Sequence, residues 1–337
     1  MSDTTPGPEG LETPAARAPR PTSGPEGLET PAARAPRPAS GPAARAARPA
    51  STESGAPSDV GVLGGGRMGA GIAHAFLLAG SRVTVVERDV DAAGAASTRV
   101  LESVAASVDR GTAHEDAGVI GARFATSTDV GDFARCDLVV EAVPEDLELK
   151  IDALTRVESV LAQTAALASN TSSISIDQLA ALLERPGRFL GMHFFNPVPA
   201  STLVEIVRGA ATEGTLAVQA REWVHAIGKT PIVVTDAPGF ASSRLGVALG
   251  LEAIRMLEDG VASAEDIDAA MALGYKHPIG PLRLTDIVGL DVRLGIAEYL
   301  SSTLGERFAP PALLRRLVAE GKLGRKTGEG FYLWDAP

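Results

Sequence analysis

The chain has 337 residues, of which 45% are hydrophobic, and it carries a formal net charge of −11 at pH 7. This length leaves room for about two domains, and the hydrophobic content is ample for their cores. The acidic balance argues against nucleic acid as a main partner, because phosphate backbones recruit basic surfaces.

The first 57 residues differ in composition from the rest of the chain. One segment rich in proline, alanine and arginine occurs from Gly7 to Pro21, again from Gly24 to Pro38, and in a shortened copy from Gly41 to Pro49. Each copy holds at most one leucine, so the repeat cannot bury a core and predicts a disordered tail over residues 1–57. We expect deletion of this tail to leave turnover unchanged. Docking through its arginine and proline residues is the alternative.

A glycine-rich motif opens the folded part of the chain. The apolar run Val60–Leu63 predicts a strand, and the spacing G-x-G-x-x-G follows it directly, as in a dinucleotide-binding turn. The first glycine would permit the tight turn, the second the close approach of a pyrophosphate, and the third close packing of the next helix. The N–H groups that begin this helix would bind phosphate. The residues that this motif predicts to bind the cofactor are Gly64, Gly66, Arg67, Met68 and Gly69.

The second predicted strand, Val83–Val86, ends at a carboxylate. Glu87 lies 23 residues after Gly64, close to the distance at which an acidic residue meets the adenosine ribose. A carboxylate there favours NAD as the cofactor, because it would repel the 2′-phosphate of NADP. The neighbouring Arg88 is the opposing signal, since a guanidinium could pair with that phosphate.

Short apolar strands alternate with helical segments as far as residue 236. This order predicts an α/β domain over residues 58–236, with a Rossmann-type parallel sheet and helices on both of its faces. Ligands of such sheets bind beyond the carboxyl ends of the strands. Polar residues follow three of the predicted strands, Leu138–Val143, Ala165–Ala168 and Phe189–Phe194.

One histidine lies in an apolar run, with a glutamate twelve positions later. Oxidation of an alcohol at neutral pH needs a general base, and an imidazole paired with a carboxylate suits this task, because the carboxylate fixes the tautomer and stabilises the imidazolium. His193 and Glu205 are therefore the candidate base pair. A histidine in an apolar strand is more often a core residue, so the dinucleotide motif upstream carries much of the argument.

Beyond Phe240 the periodicity is helical, which predicts an all-helical C-terminal domain over residues 237–337 and includes one long helix from Leu282 to Leu304. Apolar faces at Leu245–Leu251 and Ile287–Leu290 exceed what one small bundle needs. We therefore expect these faces to bury against a second subunit in a homodimer. The alternative is that they pack on the first domain.

With these motifs in view, the chain resembles the L-3-hydroxyacyl-CoA dehydrogenase family, in particular its short single-function 3-hydroxybutyryl-CoA dehydrogenase type. The resemblance covers about Asp59 to Trp334 and implies the reversible NAD-linked oxidation of a short (3S)-3-hydroxyacyl-CoA to the 3-oxoacyl-CoA. It rests on five motifs in the family's order: Gly64–Gly69, Ser169–Ser173, Gly191–Pro199, Asp236–Phe240 and Gly324–Tyr332.

The resemblance also implies roles for individual residues. His193 would take the 3-hydroxyl proton, with Glu205 paired to it. Ser172 would hold the C3 oxygen of the substrate, and Asn196 would lie near that oxygen and the nicotinamide. The further positions that it implies are Glu145, Lys150 and Lys326 at the cofactor and Ser103 and Arg110 at coenzyme A.

One position departs from the family's pattern. The family motif after Asp236–Phe240 commonly ends in asparagine and arginine, and here Ser243 precedes the arginine. A hydroxyl forms fewer hydrogen bonds than an amide and reaches less far. Ser243 is a substrate-binding candidate, and its identity leaves open an acyl group on a carrier protein or a free hydroxy acid as substrate. A non-catalytic dinucleotide-binding protein is a further alternative.

Composition also bears on location and on metals. No apolar run approaches ~18 residues, so no membrane span is expected, and the N-terminal sequence does not predict a secretory signal. The single cysteine, Cys136, excludes an internal disulfide, is interpreted as a buried residue, and fits a cytoplasmic location. No spacing of cysteine and histidine predicts a metal site. The expected partners are an acyl-CoA substrate and a second copy of the chain, with neither nucleic acid nor membrane.

Overall fold

The computed structural model describes residues 55–335, so most of the predicted tail lies outside the described residues. Strands alternate with helices in the first part of this range, and named helices follow without further named strands in the last part. The strands are β1 (Asp59–Leu63), β2 (Arg82–Val86), β3 (Phe124–Ser127), β4 (Leu138–Glu141), β5 (Ala166–Ser169), β6 (Phe189–Phe194), β7 (Leu203–Arg208) and β8 (Thr230–Thr235). The helices are α1 (Arg67–Leu78), α2 (Val90–Asp109), α3 (Ala117–Gly121), α4 (Leu147–Val160), α5 (Ile176–Ala180), α6 (Gly214–Ala226), α7 (Ser242–Glu258), α8 (Ala264–Ala269), α9 (Pro281–Val288), α10 (Leu290–Leu304) and α11 (Ala312–Ala319).

The strands form one eight-stranded sheet in the order β3-β2-β1-β4-β5-β6-β7-β8. The order along the chain reverses at β1, which lies between β2 and β4, and ligands of open α/β sheets bind at this kind of switch point. The pair β6–β7 is antiparallel, whereas the other neighbouring strands of the sheet are parallel. The predicted Rossmann-type sheet is therefore confirmed, with its last two strands reversed.

Apolar side chains cover both faces of the sheet. On one face Val60 and Val62 pack in a cluster with residues of α1, α2 and α6. On the other face Leu63 and Val139 pack with residues of α4 and α5. A strand buried on both faces is apolar at nearly every position. All four residues of β4 are buried, and all but Glu141 are apolar.

The helical segment has a core cluster of its own. Val247, Leu251 and Leu290 lie in this cluster and are almost fully buried. Part of each apolar face expected at a subunit interface is thus buried within the helical segment itself. Leu245 and Val288 of these faces remain exposed, by 70% and 40%.

The long helix expected from Leu282 to Leu304 is two helices, α9 and α10. Gly289 separates them with a φ of +107°, a left-handed conformation that interrupts the helix and favours glycine. The chain therefore turns between α9 and α10 where periodicity alone predicted continuity.

Candidate active site

The glycine-rich turn joins β1 to α1 at the carboxyl edge of the sheet. Gly64 has a φ of +93°, which glycine adopts without strain. A Cβ on Gly69 would lie 1.8 Å from the Gly64 carbonyl oxygen, so only glycine lets α1 pack this close. A Cβ on Gly66 would meet no atom within 4 Å, so the backbone is open there. The turn therefore fits a pyrophosphate at the start of α1, where Arg67 and Met68 form the first helical residues.

Glu87 follows β2 and faces this turn. Its Oε1 accepts a hydrogen bond from the Gly65 N–H at 2.7 Å, so the carboxylate and the turn hold one another in place. The Arg88 side chain is 84% exposed and pairs with Asp89. The residues present fit the ribose and pyrophosphate of a dinucleotide.

A buried ion cluster lies at the carboxyl ends of β4 and β5. The Nζ atom of Lys150 lies 2.7 Å from Glu141 Oε1 and 3.4 Å from Glu145 Oε2, and the Lys150 side chain is 1% exposed. The hydroxyl of Ser169 donates to the other oxygen of Glu141 at 2.5 Å. Lys150, a predicted cofactor residue, is thus enclosed by protein and supports Glu145. Glu141 is absent from the sequence predictions, although a carboxylate inside an apolar strand is a signal that could have selected it.

Glu145 gathers the polar residues that follow β5. Its Oε1 accepts hydrogen bonds from the Thr171 hydroxyl at 2.6 Å, the Ser172 N–H at 2.9 Å and the Ser173 N–H at 3.0 Å. The exposed Ser172 hydroxyl lies 3.2 Å from the same oxygen. Burial raises the pKa of Glu145, but the charge of Lys150 and these hydrogen bonds outweigh burial and lower that pKa. The structure thus brings two predicted residues, Lys150 and Ser172, to the ionised carboxylate of a third, Glu145.

His193 and Glu205 occupy directly opposed positions on β6 and β7. Opposed residues of an antiparallel pair project from the same face of the sheet, and His193 Nδ1 lies 2.7 Å from Glu205 Oε2. Because a carboxylate only accepts, this contact places the imidazole proton on Nδ1. The Nε2 atom makes no hydrogen bond within the described residues and is available to a substrate. The rings of Phe195 and Phe240 flank the imidazole at 4.4 and 5.8 Å.

The start of α7 supplies three more donors to Glu205. Its Oε1 accepts from the Ala241 N–H at 3.1 Å and the Ser242 N–H at 2.9 Å, and its Oε2 accepts from the Ser242 hydroxyl at 2.6 Å. Burial raises the pKa of Glu205, but the hydrogen bonds from His193 and Ser242 outweigh burial and lower that pKa. Ser242 is absent from the sequence predictions, because only the fold shows which serine meets Glu205. Ser243 is half-buried and makes no side-chain hydrogen bond within residues 55–335.

Two predicted residues lie apart from these contacts on exposed segments. Asn196 is exposed, three residues beyond His193. The Nζ atom of Lys326 lies 2.6 Å from both carboxylate oxygens of Asp291. The Lys326 charge is therefore paired within the chain, although its side chain is 45% exposed.

The predicted coenzyme A residues both lie at the C-terminal half of α2. The Ser103 hydroxyl donates to the Arg99 carbonyl oxygen in the same helix at 2.8 Å. The exposed guanidinium of Arg110 donates to the Ser107 hydroxyl at 3.3 Å. Within the described residues, neither side chain contacts the His193 pair or the glycine-rich turn.

The described residues also bear on three other features: a metal site, a cysteine nucleophile and a membrane-spanning helix. Residues 55–335 contain no group of three or more histidine, cysteine or acidic side chains that could hold a metal ion. Burial raises the pKa of the Cys136 thiol to about 12, which leaves no thiolate nucleophile at neutral pH. No helix between residues 55 and 335 combines the length and the apolar composition needed to cross a membrane.

Comparison with known proteins gives matches to the same family in both the strand-containing and the helical part of the chain. Residues 59–237 match the family model described as the NAD binding domain of 3-hydroxyacyl-CoA dehydrogenase, and residues 239–334 match that of its C-terminal domain. A probable 3-hydroxybutyryl-CoA dehydrogenase of Deinococcus radiodurans is 41% identical over 273 residues, which cover 81% of this chain and 98% of the relative.

Two solved structures are also similar. (S)-3-hydroxybutyryl-CoA dehydrogenase from Ralstonia eutropha superposes with a TM-score of 0.79 at 39% identity, covering 83% of this chain and 100% of the other. A diketoreductase that acts on dicarbonyl compounds superposes with a TM-score of 0.73 at 32% identity, covering 83% and 99%. On these matches the chain is an NAD-dependent oxidoreductase and belongs to the 3-hydroxyacyl-CoA dehydrogenase family.

Proposed function

We propose that this chain catalyses the reversible NAD-linked oxidation of a short-chain (3S)-3-hydroxyacyl-CoA to the 3-oxoacyl-CoA, with His193 and Glu205 as the general base pair. The observation that carries the proposal is the contact between His193 Nδ1 and Glu205, which leaves Nε2 without a hydrogen bond to any described residue. The short chain length is supported by the names of the similar proteins, which are 3-hydroxybutyryl-CoA dehydrogenases.

In this mechanism His193 Nε2 takes the proton of the 3-hydroxyl group. The positive charge that forms on the imidazole is stabilised at Nδ1 by Glu205, which the hydrogen bonds described above keep ionised. The Ser172 hydroxyl and the Asn196 amide would orient the C3 oxygen toward Nε2. In the reverse direction the imidazolium returns its proton to the same oxygen.

NAD, when bound, supplies the hydride acceptor for this reaction. The glycine-rich turn would hold its pyrophosphate, and Glu87 would hold its adenosine ribose. Arg110 offers a guanidinium to a phosphate of coenzyme A, with Ser103 about two helical turns away on the same face of α2. The residues proposed at the nicotinamide end are Glu145, Asn196 and Lys326, and the enclosed Lys150 would act there only through its ion pair with Glu145.

Replacement of the imidazole tests the mechanism. We expect His193→Gln to lower turnover by about 10²-fold or more, because the general base is lost, while NADH still binds. The matched control is His114→Gln, which changes an exposed histidine and leaves turnover unchanged. Steady-state kinetics and NADH fluorescence titration measure the two effects, and normal turnover of His193→Gln would remove this residue from the mechanism.

A second candidate keeps the chemistry and changes the substrate. An acyl group on a carrier protein, or a free hydroxy acid, is favoured by Ser243 in place of the family's asparagine and by the similarity to a diketoreductase. Assays of NADH formation with 3-hydroxybutyryl-CoA, the corresponding carrier-protein thioester and the free acid separate these substrates. Higher kcat/KM with either alternative would replace the coenzyme A proposal.

We also propose a homodimer formed through the C-terminal helices, and a cytoplasmic location. Leu245 and Val288 remain exposed by 70% and 40%, and Val292 on α10 is 43% exposed. These side chains would become buried between two copies. Light scattering of the full chain should give twice the chain mass, and a monomer at micromolar concentration would contradict the dimer.

A further inference from the structure

Four donors meet the carboxylate of Glu205, and apart from His193 itself only one of them, the Ser242 hydroxyl, is a side-chain group. The two donors at Oε1 are backbone N–H groups, which any residue except proline supplies. At Oε2 the Ser242 hydroxyl, at 2.6 Å, meets the same oxygen that contacts His193 Nδ1. Among small side chains only serine and threonine carry such a hydroxyl.

We propose that Ser242 is a positioning residue of the base pair: its hydroxyl fixes the carboxylate with Oε2 toward His193 and moderates how strongly that oxygen attracts the imidazole proton. The proposal rests on the proposed role of His193 as general base. Ser242 is the first residue of α7, so the orientation of the base pair depends on a contact from outside the sheet.

The charged surroundings isolate this contact. Within the described residues, the ion pair of His193 is with Glu205 alone. Glu145, four residues beyond the end of β4, is bonded to Lys150 and to the serines after β5. Asp236, after β8, accepts from Ser175 and the Asp177 N–H. Arg244, one turn into α7, forms no ion pair within residues 55–335. A change at Ser242 therefore acts on the base pair through Glu205 and through no second charge.

Loss of the hydroxyl has two expected effects. A carboxylate that loses a donor becomes more basic and attracts the imidazolium more strongly, so His193 holds its proton to higher pH. The acid limb of the kcat/KM profile for oxidation then moves upward, by about 0.5 to 1 pH unit. The carboxylate also gains rotational freedom, which lowers kcat on the plateau by about 3- to 10-fold. KM and the Kd for NADH stay within about twofold, because a positioning residue touches neither ligand.

The test compares Ser242→Ala with Ser242→Thr, which keeps the hydroxyl, in the full-length protein. The matched control is Ser302→Ala, which removes an exposed helical hydroxyl that, in the described part of the chain, bonds only to the Tyr299 carbonyl oxygen. The alanine variant should show the upward shift of the acid limb and the fall in kcat. The threonine variant should restore the profile to within about 0.2 pH unit of the unchanged enzyme. Thermal melting establishes that each variant is folded.

An unshifted acid limb in folded Ser242→Ala overturns the positioning role, as does a threonine variant that behaves like alanine. A rise in KM without a pH shift also overturns it, because that result indicates substrate contact. His193→Gln separates this failure from a failure of the proposed mechanism. If that variant is inactive and Ser242→Ala is unshifted, only the inference about Ser242 is wrong.

Discussion

The Glu87 carboxylate holds the glycine-rich turn and is also the group expected to favour NAD over NADP. Its Oε1 holds the Gly65 N–H at 2.7 Å, and its charge would repel a 2′-phosphate. We expect Glu87→Gln to keep the hydrogen bond through the amide oxygen and to lose the repulsion. The ratio of kcat/KM for NADP to that for NAD should rise about tenfold, since a unit charge a few ångströms away contributes about 1 kcal/mol or more. Steady-state assays with both cofactors measure this ratio.

Arg88 provides the contrasting experiment. Its side chain is 84% exposed and paired with Asp89, so Arg88→Gln should leave the kcat/KM for NAD unchanged. If the wild type instead uses NADP well and Arg88→Gln loses that activity, the guanidinium and not Glu87 decides between the cofactors.

The sequence predicts which residues form the site better than it predicts the contacts that they make. The motifs selected His193, Glu205 and Ser172, because residue type and spacing are enough to identify a candidate general base and a hydroxyl at the end of a strand. Burial is a property of the fold, so nothing in the motifs showed that Lys150 is enclosed beneath Glu145. Nor does the run of two serines at the start of α7 show which of them meets the base pair.

At the scale of elements, the sheet could be predicted in outline because buried parallel strands are short and apolar. The antiparallel direction of β7 relative to β6 could not be predicted, because periodicity does not encode strand direction. This reversal places His193 opposite Glu205 in register. A parallel pairing of the two strands would need a longer crossover than the eight residues between them. The antiparallel register is thus the physical reason why a glutamate twelve residues from the histidine reaches it.

The close packing of α1 on β1 makes a prediction at Gly69. A Cβ there would lie 1.8 Å from the backbone oxygen of Gly64, so Gly69→Ala must displace the turn. We expect a loss of about 2–4 kcal/mol in the free energy of unfolding and at least about tenfold weaker NADH binding. Gly94→Ala is the control, because a Cβ on this α2 glycine meets nothing within 4 Å. It should stabilise the protein by about 0.5–1 kcal/mol. Equal stability of the two variants in urea titrations would contradict the packing argument.

Arg293 on α10 is a cation buried at the contact with α7. The residue is 8% exposed, its Nε has no hydrogen bond partner within residues 55–335, and burial lowers the pKa of its guanidinium to about 10. A buried charge without a partner destabilises a fold. Arg293→Met keeps the length of the side chain and removes the charge, so it should raise the free energy of unfolding by about 1–4 kcal/mol. A fall in stability together with dissociation would show that a second copy satisfies this guanidinium.

At the scale of the whole molecule, the sequence-predicted tail and the folded chain meet near residue 57. The family models match residues 59–334, yet the fold uses residues just before this range. The Ser81 hydroxyl donates to the Pro57 carbonyl oxygen at 2.7 Å in a buried contact, and the Arg82 N–H donates to the Ser58 carbonyl oxygen at 2.8 Å. A folded domain that began at residue 58, as composition predicts, would therefore lack one of the hydrogen bonds that hold the start of β2.

Two truncations test where the functional chain begins. Deletion of residues 1–54 removes only chain that the proposed mechanism does not use, so kcat should stay within about twofold and the midpoint of thermal unfolding within about 2 °C. Deletion of residues 1–58 also removes the two carbonyl oxygens that Ser81 and Arg82 require. Leaving a buried hydroxyl and a strand N–H without acceptors should cost about 1–3 kcal/mol of stability. If the shorter deletion already abolishes turnover, the tail has a role in catalysis. If both truncations are equally stable, the support of β2 does not depend on Pro57 and Ser58.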